Sequence, residues 1–279
     1  MAGQAADDSP PVLVGTSGAV MTIILNRPEQ RNAWTLDLER EYFAALRLAD
    51  AERDIRAVVV TAAGDMFCPG ADKSVLQAVA ASGKHELRKD PLYFPLTICK
   101  PVIMAINGSC AGVGLLQALA GDVRFAARGA KFATGFVRRG LIAEYGLAWL
   151  LQRVAGASAA TDLLLSGRAI DADEAARLGL VNRVHERDEL LPAALAYASD
   201  IARHCSPASV AAIKAQLQWA SAESLPAAAI RAAGLVNRAV AGPDFAEGVA
   251  SFLAARSAAF PALGEGTRYS DLITSPFKA

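Results

Sequence analysis

Two short runs, RAVVVTAAG at 56–64 and PVIMAING at 101–108, constrain this chain most. Each is apolar, rich in β-branched residues and closed by glycine, without the polar alternation of a half-solvated strand. Such a run has to be covered on both faces, the pattern of a strand inside a mostly parallel sheet. Parallel neighbours need crossover segments, and the spacing supplies them. AVMTIIL at 19–25 reads as a strand stopped by Asn26, Arg27 and Pro28. Residues 35–51 read as a helix, with Thr35 as N-cap, Asp37 in the first turn and Leu38, Tyr42 and Leu46 on one stripe. A helix is expected at about 112–120 and a strand in DVRFAA at 122–127. This alternation predicts an α/β core of crossover units.

After about residue 157 the pattern turns helical. DADEAARLG at 171–179 has an Asp cap, a Glu three residues on and a Gly stop. Residues 188–220, 222–240 and 245–260 carry helical periodicity and are apolar enough to need a partner surface. The expected organisation is a disordered tail over 1–11, an α/β core over 12–200 and a helical oligomerisation region over 201–279. Residues beyond Gly264 are expected to be loosely ordered.

With 53% hydrophobic and 20% charged residues, the chain can bury a sizeable core and is not a disordered polyelectrolyte. The 28 basic side chains match 28 acidic ones, which argues against a globally basic nucleic-acid binder. Four cysteines (Cys68, Cys99, Cys110, Cys205) lack CxxC spacing, and three histidines (His85, His185, His204) lack metal-ligand spacing. Neither a disulfide framework nor a metal site is expected. The first residues, MAGQAADDSPP, lack the basic and apolar parts of a signal peptide. No stretch approaches the ~20 apolar residues of a membrane span. A cytoplasmic protein with no membrane or nucleic-acid partner is expected.

Two glycine-containing junctions follow predicted strands: MFCPGAD at 66–72 and INGSCAGVG at 106–114. Glycine lets backbone approach a ligand, and a helix start leaves N–H groups unpaired. Side by side, the two turns could present two backbone donors to one developing oxyanion. Read alone, each is equally a tight strand-to-helix turn. The glycines form neither a dinucleotide fingerprint nor a P-loop.

These motifs, with LNRPEQRNAWT (25–35), INGSCAGVGLLQALAGDVRFA (106–126), GLIAEYGLAWLLQRVAG (140–156), LLLSGRAIDADEAARLGLVNRV (163–184) and EGVASFLAARSAAF (247–260), resemble the crotonase superfamily, or enoyl-CoA hydratase/isomerase family. The resemblance covers most of the chain. It implies a crotonase-like (ββα)-repeat spiral core with a helical C-terminal trimerisation region, and a homotrimer or dimer of trimers. The implied substrate is a coenzyme A thioester, with no permanently bound cofactor. The implied oxyanion hole is the N–H pair of Ala71 and Val113, stabilising a thioester enolate.

Two departures bear on the reaction. By the same resemblance, the positions of the two hydratase glutamates hold Leu116 and Phe136, both apolar. Hydration activates a water and protonates carbon, work suited to two opposed carboxylates. Glu144 stands where the family's Δ3,Δ2-enoyl-CoA isomerases keep a single acid. Alternatively, Glu144 is a carboxylate at a helix N-terminus, favoured there by the macrodipole. In the isomerase reading it takes a proton from C2 and returns it at C4, while Leu116, Phe136, Tyr145 and Trp149 wall the acyl pocket. Decarboxylation, thioester hydrolysis and silent acyl-CoA binding are the other outcomes.

Coenzyme A contacts are expected from Arg31, Asn32 and Ala33, and from Gly70 and Asp72 at the Ala71 turn. Arg31 is either a phosphate contact or a solvated surface arginine. Lys278 and the Phe260 region are placed within reach of a neighbouring subunit's site. Residues 74–95 are expected to wall the acyl pocket, Cys68 and Cys110 to be buried fillers, and His185 to end a strand.

Overall fold

The computed structural model describes residues 9–84 and 88–264. The chain opens with an antiparallel pair, β1 (Val12–Ser17) and β2 (Val20–Leu25). β1 escapes sequence reading because only Val12 is buried in it: it is an edge strand without an apolar stripe. Asn26 holds the residues before it, donating its backbone N–H to Pro11 O (2.7 Å) and its side-chain amide to Pro10 O (3.1 Å). Residues 1–8 of the expected tail, His85, and everything after Gly264, Lys278 included, lie outside the described residues.

Helix α1 (Leu36–Ala51) starts where Thr35 accepts the Leu38 N–H at 3.2 Å. Three strand–strand–helix units follow. They are β3 (Ala57–Ala62), β4 (Met66–Cys68) and α2 (Lys73–Ser82); β5 (Val102–Ile106), β6 (Ser109–Ala111) and α3 (Val113–Ala120); and β7 (Val123–Ala127), β8 (Lys131–Ala133) and α4 (Leu147–Ser166). In each unit the first strand joins a six-stranded sheet and the second a small four-stranded one. This alternation is the (ββα) repeat. Then come β9 (Ala169–Asp171), α5 (Ala172–Arg177), β10 (Arg183–His185), α6 (Arg187–His204), α7 (Pro207–Trp219), α8 (Leu225–Val240) and α9 (Pro243–Leu253). The large sheet runs β1-β2-β3-β5-β7-β10 and the small one β4-β6-β8-β9. From β2 to β10 the large sheet is parallel.

Both faces of β3 and β5 are covered, as their apolar runs require. On one side, Ala194, Ala198 and Ala202 of α6 lie against Val59, Ile103 and Phe125. Alanine at these three positions lets the helix axis approach the sheet. On the other side α1, α3 and the small sheet close the main core. Asn107 stabilises the corner between the sheets by donating to Ala62 O (2.8 Å) and Gly64 O (2.9 Å).

The C-terminal helices differ from expectation in two places. The periodic stretch 188–220 is two helices, because Ser206 accepts the Ser209 N–H and Pro207 occupies the first turn of α7. The stretch 245–260 stops being helical at Leu253, where Ala255 takes φ 48 and Arg256 folds back onto Glu247. Helix α7 is fastened to the core by Lys214. Its buried ammonium donates to Pro95 O (3.1 Å) and Lys100 O (2.9 Å) and pairs with Asp122 at 2.8 Å.

Candidate active site

The small sheet sets β4 and β6 parallel, with Cys68 opposite Cys110. Both strands end at glycine-containing turns on the same edge. Gly112 adopts φ 52 and ψ −122, open only to glycine, and is the N-cap of α3. Val113 is therefore the first helical residue, and its N–H has no intrahelical acceptor. Gly114 lets α3 lie against β4: a Cβ there would stand 2.2 Å from the Cys68 carbonyl oxygen.

At the other turn Ala71 forms a parallel bridge with Trp34. Trp34 donates to Gly70 O at 2.8 Å, and Asp72 donates to Trp34 O at 2.9 Å. In that alternation the N–H of Ala71 itself points away from residue 34. Asp72 then caps α2, accepting from Ser74 N at 3.0 Å, and pairs with Arg27 at 3.4 Å. The Ser74 N–H, aided by Arg27, holds the Asp72 carboxyl below its ordinary range.

Ala71, Val113 and Glu144 line one cleft of about 120 Å³, together with Phe136 and Tyr145. Val75, Leu76 and Val79 of α2 give it an apolar wall, and Arg88 and Arg139 also reach it. Glu144 is the one carboxylate among the described residues that line the cleft. It sits half-buried in the loop before α4, where its carbonyl accepts from Leu147 at 2.9 Å. Gly146, not Glu144, is the N-cap. The carboxylate thus precedes the first helical turn, where macrodipole stabilisation is concentrated.

Residues 15–262 match the family model described as enoyl-CoA hydratase/isomerase. The chain belongs to the enoyl-CoA hydratase/isomerase family. It is 32% identical over 259 residues to a 1,2-epoxyphenylacetyl-CoA isomerase of Escherichia coli K12, covering 89% of this chain and 97% of that one. An enoyl-CoA hydratase from Polaromonas sp. JS666 superposes with a TM-score of 0.84 at 30% identity, over 89% of this chain and 99% of the other. An enoyl-CoA hydratase from Mycobacterium marinum is 48% identical, with a TM-score of 0.66 over 75% of this chain and 97% of that one. The protein is thus an enzyme of the hydratase/isomerase type with a crotonase-like α/β fold.

Within this hydratase/isomerase frame the expected site residues separate into two groups. Gly70, Ala71, Val113, Phe136, Glu144 and Tyr145 converge on the cleft. Leu116 and Trp149 do not line it. Leu116 is buried in α3 among core side chains, one helical turn past the cleft. Trp149 is 42% exposed and lies under the Arg153 guanidinium, 5.2 Å from its ring centre. Arg31, Asn32, Ala33 and Asp72 also lie off the cleft lining. Asn32 is fully buried, and its side chain is committed to the fold. It accepts the Arg27 N–H (2.8 Å) and donates to Ala63 O (2.8 Å) and Met66 O (2.7 Å), and its backbone N–H is taken by Arg27 O (2.8 Å). Arg31 is exposed, in the left-handed turn it shares with Asn32.

Glu39 carries no motif and goes unnoticed in the sequence; Arg88 falls in the 74–95 segment expected to wall the pocket and Arg139 just before GLIAEYG, but neither is given a role of its own there. Glu39 is a buried acid on α1 that accepts the Trp34 indole N–H at 2.8 Å and an ion pair from Arg88. Its carboxyl is raised above the ordinary range by burial, against the pull of those two partners. Cys68 and Cys110 are buried free thiols, Cys68 pushed up to about 12 and Cys110 also well up, both by burial. That makes them poor nucleophiles. His185 ends β10, its ring 5.3 Å from that of Phe125. Among the described residues no cluster of three or more His, Cys, Asp or Glu is placed to hold a metal, and no helix is long and apolar enough to cross a membrane.

Proposed function

We propose that this enzyme moves the double bond of a 3-enoyl-CoA to the 2-position, with Glu144 as a single proton shuttle. One observation carries the reading: a lone carboxylate shares its cleft with the two oxyanion-turn residues. The C2 protons of a 3-enoyl thioester are acidified by both the carbonyl and the neighbouring alkene. Glu144 takes one, the N–H groups of Ala71 and Val113 hold the dienolate oxygen, and the same carboxyl delivers the proton at C4. Atoms balance without water or a redox partner. Phe136 and the α2 side chains Val75, Leu76 and Val79 give the cleft hydrocarbon walls. Hydration calls for a second carboxylate, and the positions where the resemblance places those acids hold Leu116 and Phe136.

The test uses both regioisomers and follows the absorbance of the conjugated thioester. The 3-enoyl-CoA should gain absorbance, and the 2-enoyl-CoA should show no hydration loss. E144Q should lower kcat by about 10²–10⁴-fold with an unchanged melting curve. Full turnover in a folded E144Q would sink the proposal. The E. coli relative's name supports a second reading, isomerisation of an epoxide-bearing acyl-CoA at the same carboxylate. It is checked by offering 1,2-epoxyphenylacetyl-CoA to the same variants. The substrate enters and leaves as its coenzyme A thioester, with no resident cofactor in the scheme.

The proposed assembly is a homotrimer, or a dimer of trimers, built through the C-terminal helices. Phe245, Val249 and Phe252 of α9 and Val236 of α8 are exposed apolar side chains that border a groove of about 780 Å³, and they are the face the proposed assembly would cover.

A further inference from the structure

The two halves of the cleft come from distant parts of the chain: the oxyanion turn at 70–72, and the acid-bearing loop at 141–146. A continuous set of contacts joins them through a pair that the isomerase scheme leaves unused. We propose that Glu39 and Arg88 are positioning residues that set the Ala71 N–H against Glu144.

The Glu39 carboxylate lies on α1, and one of its oxygens accepts both the Trp34 indole N–H and the Arg88 guanidinium. The backbone of Trp34 brackets Ala71, receiving at its carbonyl the Asp72 N–H and donating to Gly70 O. Fixing the indole therefore fixes the strand against which the oxyanion turn is registered. On the other side, the Arg88 guanidinium carbon stands 5.0 Å from the centre of the Tyr145 ring. Tyr145 directly follows Glu144 and holds φ 53, a left-handed conformation unfavourable for a side chain of its size. Such a conformation persists only where its surroundings impose it. A largely buried cation over the ring is one such restraint. Both members of the pair are shielded from solvent, with side-chain exposures of 13% for Arg88 and 9% for Glu39, so the pair is little screened by salt. Its partners recur around it: Arg47 pairs with Asp90 and Phe43 packs on Phe94, tying the segment after Arg88 to the same helix.

The proposal rests on the isomerase reading for its kinetic test, and on amide exchange for a test without that reading. R88M cuts both ends of the connection at once: Tyr145 loses the cation over its ring, and the Glu39 carboxylate that holds the Trp34 indole loses the charge opposite it. Turnover of a 3-enoyl-CoA by R88M should fall roughly tenfold to a hundredfold in kcat, with KM within about twofold. R88K, which keeps the charge but not the flat face, should recover part of the loss. R88M/Y145L should be no slower than the slower single variant, because both changes cut the same connection. In hydrogen exchange by mass spectrometry, segments 69–72 and 141–146 should both exchange faster in R88M. Unchanged kcat, a loss confined to KM, additive losses, or faster exchange near residue 88 alone would each overturn the proposal. If the unmodified enzyme leaves 3-enoyl-CoA untouched, the isomerase reading alone fails. The exchange pattern then decides: both segments faster upholds the pair, one or neither overturns it.

Discussion

Gly114 stands against Cys68 so closely that a methyl group on it would lie 2.2 Å from the Cys68 carbonyl oxygen and 2.7 Å from its Cβ. The first obstacle is backbone, so no side-chain rotation relieves it. This contact seats the start of α3 on the end of β4, and with it the Val113 N–H beside the Ala71 turn.

G114A should therefore push α3 away from β4. Overpacking of this kind costs about 1–3 kcal/mol. A lowered thermal midpoint by circular dichroism, with a loss of turnover larger than the loss of folded protein, is the expected result. A variant as stable and active as the parent would show that the two turns do not depend on this seat.

Asn32 separates fold from ligand binding. N32A strips partners from the Arg27 N–H and from the carbonyls of Ala63 and Met66. Leaving such groups unsatisfied costs roughly 1–3 kcal/mol each, so a loss of at least about 3 kcal/mol is expected. A shifted urea midpoint measures it. A raised KM for acyl-CoA with unchanged stability would instead mark the side chain as a direct ligand contact.

Glu247 gives a pH-dependent prediction. It receives Arg256 through both oxygens (2.6 and 2.8 Å) and the Ala259 N–H at 2.6 Å. The Arg256 bonds, then the Ala259 N–H, pull its carboxyl from the ordinary 4.5 to about 2. A depressed acid binds fewer protons in the folded state, so its stabilisation is complete above 4.5 and fades as pH falls toward about 2. E247Q should melt below the parent at neutral pH, and the gap should narrow through that window. A gap that widens with acid would reverse the assignment.

Phe252 tests the proposed trimeric assembly. It is 84% exposed on α9, beside Leu253 at 78%. F252E should shift the mass measured by light scattering from a multiple of three chains toward one, while the circular dichroism spectrum stays helical. An unchanged mass would move the contact elsewhere.

How much of this was legible in the sequence depends on the range of the physics involved. RAVVVTAAG and PVIMAING read directly, because β3 and β5 are buried on both faces and look it. The strands of the small sheet do not: Met66–Cys68, Ser109–Ala111 and Lys131–Ala133 have three residues each, too few to show a period. The helical stretch 188–220 hid its break because Ser-Pro can sit inside one periodic pattern as well as between two. Glu144 was located by motif alone, since nothing local says that a residue at 144 meets turns at 71 and 113. Nor does anything local say that Trp149 and Leu116 stand off the lining of that cleft. The Glu39–Arg88 pair, 49 residues apart, leaves no local trace at all.

The parallel order of β4, β6 and β8 has a consequence for how such an enzyme can change. All three strands deliver their following loops to one edge, and those loops hold Ala71, Val113 and Phe136. No strand pairing of the small sheet runs through residues 135–146. The stretch from Thr134 to Gly146, which carries both Phe136 and Glu144, could be lengthened, shortened or exchanged while the β-branched runs go on folding as before. New chemistry in such a chain is a matter of rewriting a dozen residues downstream of one strand.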